Sequence, residues 1–195
     1  MRLLISLALL IVLLTVVPMG CSKTSAPQSS QPSISQPEPA AQSEKGSAPA
    51  QTQQVSDIES VQLRFADGSV KKIADYKGKY VLLDFWATFC APCIKKLPYI
   101  QQLQERFGDD KLSIIAVTLD PDMETATSWA QANDITLPIA QFTDEMQKIF
   151  FPEEETVVIP QARLISPEGK VIAQWGPQAS VDEIEQRLTQ LLGGE

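Results

Sequence analysis

The run Val81-Leu82-Leu83-Asp84-Phe85-Trp86 constrains the fold more than any other stretch, because it is apolar at successive positions rather than alternate ones. A strand of that kind is covered on both faces, so its sheet needs a layer on each side. Cys90-Ala91-Pro92-Cys93 follows directly, and then Ile94, Leu97, Ile100, Leu103 and Phe107 recur at helical spacing. A cysteine at this strand-to-helix junction sits at a helix N-terminus, where unpaired backbone N–H groups and the helix dipole stabilise a thiolate. Two thiols at this separation can close a disulfide, accept one from a partner, or supply half a metal site.

The rest of the domain alternates strand and helix around this centre. Val61 to Phe65 alternates apolar and polar residues, Asp67-Gly68 supplies a turn, and Val70 to Ile73 resumes the extended pattern, which predicts an opening hairpin. Lys77-Gly78-Lys79 turns the chain into the central strand, and the helix from Cys90 runs to Phe107 with a kink expected at Pro98. Ser113 to Leu119 reads as a second buried strand, and Asp120-Pro121-Asp122 opens a helix to about Asn133 with Trp129 and Ala130 inward. Leu137 to Ala140 reads as a weak strand or loop, and Thr143-Asp144 caps a short helix through Phe150. Thr156 to Ile159 and Gln161 to Ile165 read as extended. Pro167-Glu168-Gly169 is a turn, Lys170 to Trp175 the returning strand, and Ser180 caps a last helix bearing Val181, Ile184, Leu188 and Leu191 before Gly193. The order predicts an α/β fold, a mixed sheet flanked by helices.

The first part of the chain is unlike the rest. Arg2 is followed by an apolar run from Leu3 to Val17, then by Pro18-Met19-Gly20-Cys21, the pattern of a secretory signal. The run is shorter than the roughly 20 apolar residues of a membrane span, so an uncleaved anchor is the second reading. Ser, Gln, Pro and Ala dominate the stretch that follows, which has too little apolar surface to offset the entropy of ordering and reads as a linker stiffened by its prolines. The expected organisation is a signal peptide over 1–20, a linker over 21–55 and a globular domain over 56–195.

With a formal charge of −8 and no basic cluster, nucleic acid is an unexpected partner. The sequence contains no histidine, which excludes Ser-His-Asp and Cys-His catalysis, His-ligated metals and c-type haem attachment.

Two resemblances carry the reading further. Gly20-Cys21 after an apolar run resembles the lipobox of bacterial lipoproteins, which implies lipid attachment at Cys21; Pro18 stands where that family most often has Leu. Asp84-Phe85-Trp86-Ala87-Thr88-Phe89-Cys90-Ala91-Pro92-Cys93 resembles the active-site run of the thioredoxin superfamily, supported by Pro98, the Ile159-Pro160 step before a strand, and the terminal hairpin. The opening hairpin, Lys77-Gly78-Lys79, Asp120-Pro121 and the tethered N-terminus are similar to the TlpA/ResA-like membrane-tethered disulfide oxidoreductases.

The resemblance implies a thioredoxin-like fold with an N-terminal β-hairpin extension, and it implies roles. Cys90 is the expected nucleophile and Cys93 the thiol that resolves the mixed disulfide. Pro160 is the expected cis-proline facing them, and Asp84 the buried carboxyl that exchanges protons with the resolving thiol. Trp86, Ala91, Pro92 and Ile159 are expected at the substrate side, with Trp86 and Trp175 also packing against sheet and hairpin. Glu153-Glu154-Glu155, just before Pro160, is either a solvated loop or an acidic edge to the docking face.

Two positions depart from the subfamily. Lys96 stands where a Glu is usual, either favouring a thiolate at Cys93 or pointing to solvent, and Phe89 replaces a more common Trp. The implied activity is exchange with protein thiols and disulfides in a bacterial cell envelope, by a monomer tethered through its N-terminal lipid or anchor. No cofactor or metal is expected beyond the redox pair, and a membrane thiol protein is the expected electron donor. Reduction of protein disulfides is favoured over a disulfide-forming oxidant. A thiol peroxidase is disfavoured because Thr88 is two rather than three residues before Cys90, and a copper-binding module is the non-enzymatic alternative.

Overall fold

A computed structural model describes residues 57–193. The leader, Cys21 and the whole of the expected linker therefore lie outside the described residues.

Five strands form the central sheet in the order β5-β4-β3-β6-β7: β3 (Tyr80–Trp86), β4 (Leu112–Thr118), β5 (Ile139–Gln141), β6 (Gln161–Ile165) and β7 (Val171–Trp175). The β3–β4 and β4–β5 pairs are parallel, while β6 runs antiparallel to both β3 and β7. A separate hairpin, β1 (Gln62–Arg64) with β2 (Val70–Lys72), docks through an antiparallel bridge between Phe65 and Ala140. This is the thioredoxin-like arrangement with its N-terminal hairpin.

The sheet explains why β3 and β4 show no alternation. Leu82 and Trp86 of β3, with Leu112, Ile114 and Ala116 of β4, enter a core with Leu97, Ile100 and Leu103 of helix α1 (Ala91–Phe107), Ala126 and Ala130 of α2 (Met123–Ala132), and Ile184 and Leu188 of α4 (Val181–Leu192). Their neighbours Val81, Leu83, Phe85, Ile115 and Val117 enter the opposite core with Leu63, Ile73, Met146 and Phe150, the last two from α3 (Asp144–Phe150). Every second residue is thus buried on one face and the rest on the other. Each buried Val, Leu, Ile or Phe contributes about 1.5–3 kcal/mol relative to exposure.

Caps fall where expected: Asp122, Thr143 and Ser180 each accept a hydrogen bond from the first turn of α2, α3 and α4. Gly108, at φ 75°, takes the backbone out of α1 in the left-handed region that favours glycine. Pro98 does not break α1, which is one continuous helix with the proline on its exposed side.

Two segments differ from the sequence reading. Ile73 opens a 3-10 turn to Tyr76 instead of ending β2; Asp75 accepts from the Lys72 N–H at 2.7 Å and pulls the chain into the turn. Thr156 to Ile159 is not a strand, and β6 begins at Gln161. Pro160 has no N–H to continue the ladder, and the partner strand β3 ends at Trp86, so nothing remains for the segment to pair with.

Candidate active site

The end of β3 is where the chain must leave the sheet and enter α1, and Asp120 controls that passage. Trp86 C=O accepts from Leu119 N–H at 2.8 Å, the last tie to β4. Beyond it, the buried Asp120 carboxylate accepts from the Thr88 N–H (3.0 Å), the Thr88 hydroxyl (2.7 Å) and the Thr118 hydroxyl (2.8 Å). A buried carboxylate with three donors is well satisfied, and here it clamps the loop one residue before Phe89. The sequence pointed to Asp120 as a helix opener; its acceptor role was hidden because Thr88 lies on another element.

Cys90 is the N-cap residue of α1. Its φ and ψ of −95° and 95° are extended, its C=O accepts from Ile94 N–H at 3.1 Å, and its Sγ accepts from Cys93 N–H at 3.3 Å. Ala91 and Pro92 fill the first two helical positions, where a proline loses no intrahelical bond. One turn on, Cys93 is turned inward: it is 1% exposed against 8% for Cys90. The two sulfurs form a disulfide with S–S 2.02 Å and Cα–Cα 5.2 Å. The pair is therefore asymmetric, an outer sulfur at the helix cap and an inner one in the core.

Beneath α1 lies Asp84. It faces the same core as Leu82 and Trp86, and its neighbours across the ladder are Ala116 on β4 and Ala162 on β6. Those two small side chains leave room for Lys96, whose Nζ reaches down to Asp84 Oδ1 at 2.9 Å. The Lys96 side chain is 9% exposed and that of Asp84 1%. Asp84 Oδ2 is buried with no partner. Burial pushes the Asp84 carboxyl above its ordinary range, and the Lys96 ammonium pulls in the opposite direction. Lys96 points neither to solvent nor to a free cysteine: it lies one helical turn from Cys93 with its charge opposed by Asp84.

The antiparallel register pairs Phe85 with Gln161, which sets Pro160 beside Trp86 at the end of β3. The Ile159-Pro160 peptide bond is cis. Pro160 is buried, Ile159 half-buried, and Ala91 and Pro92 exposed. Two large apolar side chains stand out at this end of the sheet, Phe89 at 71% exposure and Val158 at 59%.

Trp86 corrects an expectation. It is fully buried, with its ring centroid 5.3 Å from that of Trp129, so it supports the loop from within and offers no surface to a substrate. The alternation of β3 turns it toward the core with Leu82 and Asp84. The Thr88 hydroxyl donates its hydrogen to Asp120, so it is not free to donate to Cys90 in a peroxidase-like arrangement. Among the described residues no cluster of three or more Cys, Asp or Glu is placed to hold a metal ion.

Comparisons with known proteins agree with this geometry. Thiol-disulfide oxidoreductase ResA of Bacillus thuringiensis subsp. konkukian is 28% identical over 126 residues, which cover 64% of this chain and 70% of that protein. ResA of Bacillus subtilis is 29% identical over 117 residues, covering 60% and 64% respectively. Among solved structures, a putative thiol:disulfide interchange protein DsbE from Chlorobium tepidum superposes with a TM-score of 0.59 at 27% identity, covering 68% of this chain and 93% of that one. The AhpC/TSA family profile matches residues 52–174. With its Cys90–Cys93 pair on a thioredoxin-like fold, the chain is a thiol-disulfide oxidoreductase that belongs to the AhpC/TSA family.

Proposed function

We propose that the chain is an extracytoplasmic, membrane-tethered reductase of protein disulfides. The observation that carries the exchange chemistry is the asymmetry of the Cys90–Cys93 pair, with the outer sulfur capping a helix N-terminus and the inner one in the core, on the helix that Lys96 ties to the buried Asp84 carboxyl.

In the dithiol state, the Cys90 thiolate attacks one sulfur of a partner disulfide. A Cys90–partner disulfide forms and the first partner thiolate leaves. Cys93 then loses its proton, and its thiolate attacks Cys90 Sγ, closing the Cys90–Cys93 bond and expelling the second partner thiolate. Two electrons pass to the partner, and the two partner thiolates take up protons. Asp84 Oδ2, buried and unpartnered, is the acceptor we assign to the Cys93 proton, with Lys96 holding the other oxygen in place.

The surroundings favour the reducing direction. A thiolate at Cys93 has no solvent to stabilise it, and Lys96, the cation that turns under the helix, is neutralised by Asp84. Cys93 therefore stays a protonated thiol, and the dithiol gains thiolate stabilisation at Cys90 alone; with no second stabilised thiolate the reduced pair is the stronger reductant. The partner is read as an extended segment lying over Ala91-Pro92, beside Ile159-Pro160, with Phe89 and Val158 as its apolar border. A membrane thiol donor restores the dithiol.

The tether rests on the sequence: a lipoprotein-type signal over 1–20, Cys21 as the lipid-bearing residue, and a linker to residue 55. Cell fractionation of a Cys21→Ser chain tests it, with loss from the membrane fraction expected and an unchanged distribution contradicting lipid anchoring. For the chemistry, the dithiol chain reduces insulin disulfides and the Cys90→Ser chain does not. Stoichiometric copper retention without turnover would instead support the binding-module reading.

A further inference from the structure

Phe151 to Pro160 brings Val158 and Pro160 to the end of β3 from which the chain passes to Cys90, without joining any strand. Its internal backbone bonding is a single turn, Glu154 N–H to Phe151 C=O at 3.0 Å. Side chains fix the remainder. Gln147 Nε2 donates to the Glu154 and Glu155 carbonyls at 3.2 and 3.3 Å. Gln161, the residue after Pro160, donates through Nε2 to the Val158 carbonyl at 2.9 Å and to the Glu154 carboxylate at 3.1 and 3.3 Å.

Gln161 is itself oriented from below. Its Oε1 accepts from Arg163 Nη2 at 2.8 Å, and the same nitrogen donates to Phe150 C=O at 3.2 Å. The Arg163 guanidinium lies 4.4 Å from the centroid of the Phe151 ring. Gln161 is 6% exposed and Arg163 4%, so both are locked in the core behind the loop. The Arg163 donor also settles which end of the Gln161 amide is oxygen, leaving the NH2 to face Val158 and Glu154.

We infer that Gln161, oriented by Arg163, is a positioning residue for exchange with protein partners. It joins Val158 to Glu154 and so presents the segment leading into Ile159-Pro160 as a preformed edge. This rests on the disulfide-exchange reading and adds the residue that prepares the partner-facing loop. A protein segment that docks on a fixed edge avoids the entropy of ordering it, whereas a small disulfide that touches little beyond Cys90 gains nothing from that order.

The test compares the full chain with Q161A, Q161E and Q161E/E154Q on insulin and on a small aromatic disulfide, and measures the Cys90/Cys93 potential of each. For Q161A, kcat/KM toward insulin is expected to fall about tenfold, mainly through KM, as several hydrogen bonds are lost. The small-disulfide rate and the potential stay at wild-type values. Q161E keeps the acceptor for Arg163 but sets two carboxylates together and loses the donor to the Val158 carbonyl; adding E154Q relieves the repulsion and restores a bond of reversed polarity to residue 154, so the insulin rate rises above that of Q161E without reaching wild type. An equal loss on both substrates, a moved potential, or no rescue by E154Q would overturn the inference. A wild-type chain inactive on both substrates overturns the exchange reading and this one with it; a wild-type chain active on insulin with an indifferent Q161A overturns this inference alone.

Discussion

Lys96 Nζ lies 2.9 Å from Asp84 Oδ1, joining the helix that carries the cysteines to the strand beneath it by an ion pair with little solvent contact. Breaking such a pair leaves one charge buried alone, whereas removing both partners leaves none. Lys96→Met is therefore expected to lower the unfolding free energy by about 3 kcal/mol near neutral pH, and D84A/K96M to lose far less. Urea denaturation of both variants checks this; equal losses would show that the pair is not coupled.

The same carboxyl gives stability a pH dependence. Its folded form titrates above the ordinary value of 3.8, so between 3.8 and the folded value the folded chain holds a proton that the unfolded chain has released. Its contribution to stability is greatest in acid, declines as pH rises through that window, and is flat above it. Subtracting the D84A/K96M curve from the wild-type curve isolates this slope, and an opposite sign contradicts the raised carboxyl.

Resolution of the mixed disulfide requires Asp84 in its deprotonated form. The rate of that step is expected to rise with pH through the Asp84 titration, and Asp84→Asn to lose that limb and run about a hundredfold slower. Lys96→Met removes the neighbour that lowers the carboxyl, so its limb moves to higher pH. Single-turnover kinetics from pre-reduced chains reads both effects; a D84N profile equal to wild type removes Asp84 from proton transfer.

Asp120 holds the loop before Cys90 through Thr88. Asp120→Ala strands the buried Thr118 hydroxyl and the half-buried donors of Thr88, at a cost of about 2–3 kcal/mol. Asp120→Asn, which keeps acceptor capacity at one oxygen, is expected to cost less. Thermal unfolding of the two variants distinguishes a specific clamp from a tolerant polar site, which would leave both near wild type.

Much of this was legible in the sequence because the signals were local. Non-alternating apolar runs marked β3 and β4, and Asp122, Thr143 and Ser180 marked helix starts by the chemistry of their own side chains. What escaped depended on partners distant in the chain. Lys96 was ambiguous because its direction is set by Ala116 and Ala162, which open a space above Asp84. Trp86 was expected at the substrate side because its motif is, but strand alternation places it in the core. Thr156 to Ile159 had a strand-like composition and found no neighbour to pair with.

The most direct measurement is the equilibrium potential of the Cys90/Cys93 pair against a thiol buffer. A reductase with a poorly stabilised dithiol is expected near the thioredoxin value of about −270 mV. A value near the oxidising end, about −120 mV, would contradict the account and make the chain a disulfide-forming oxidant on the same fold.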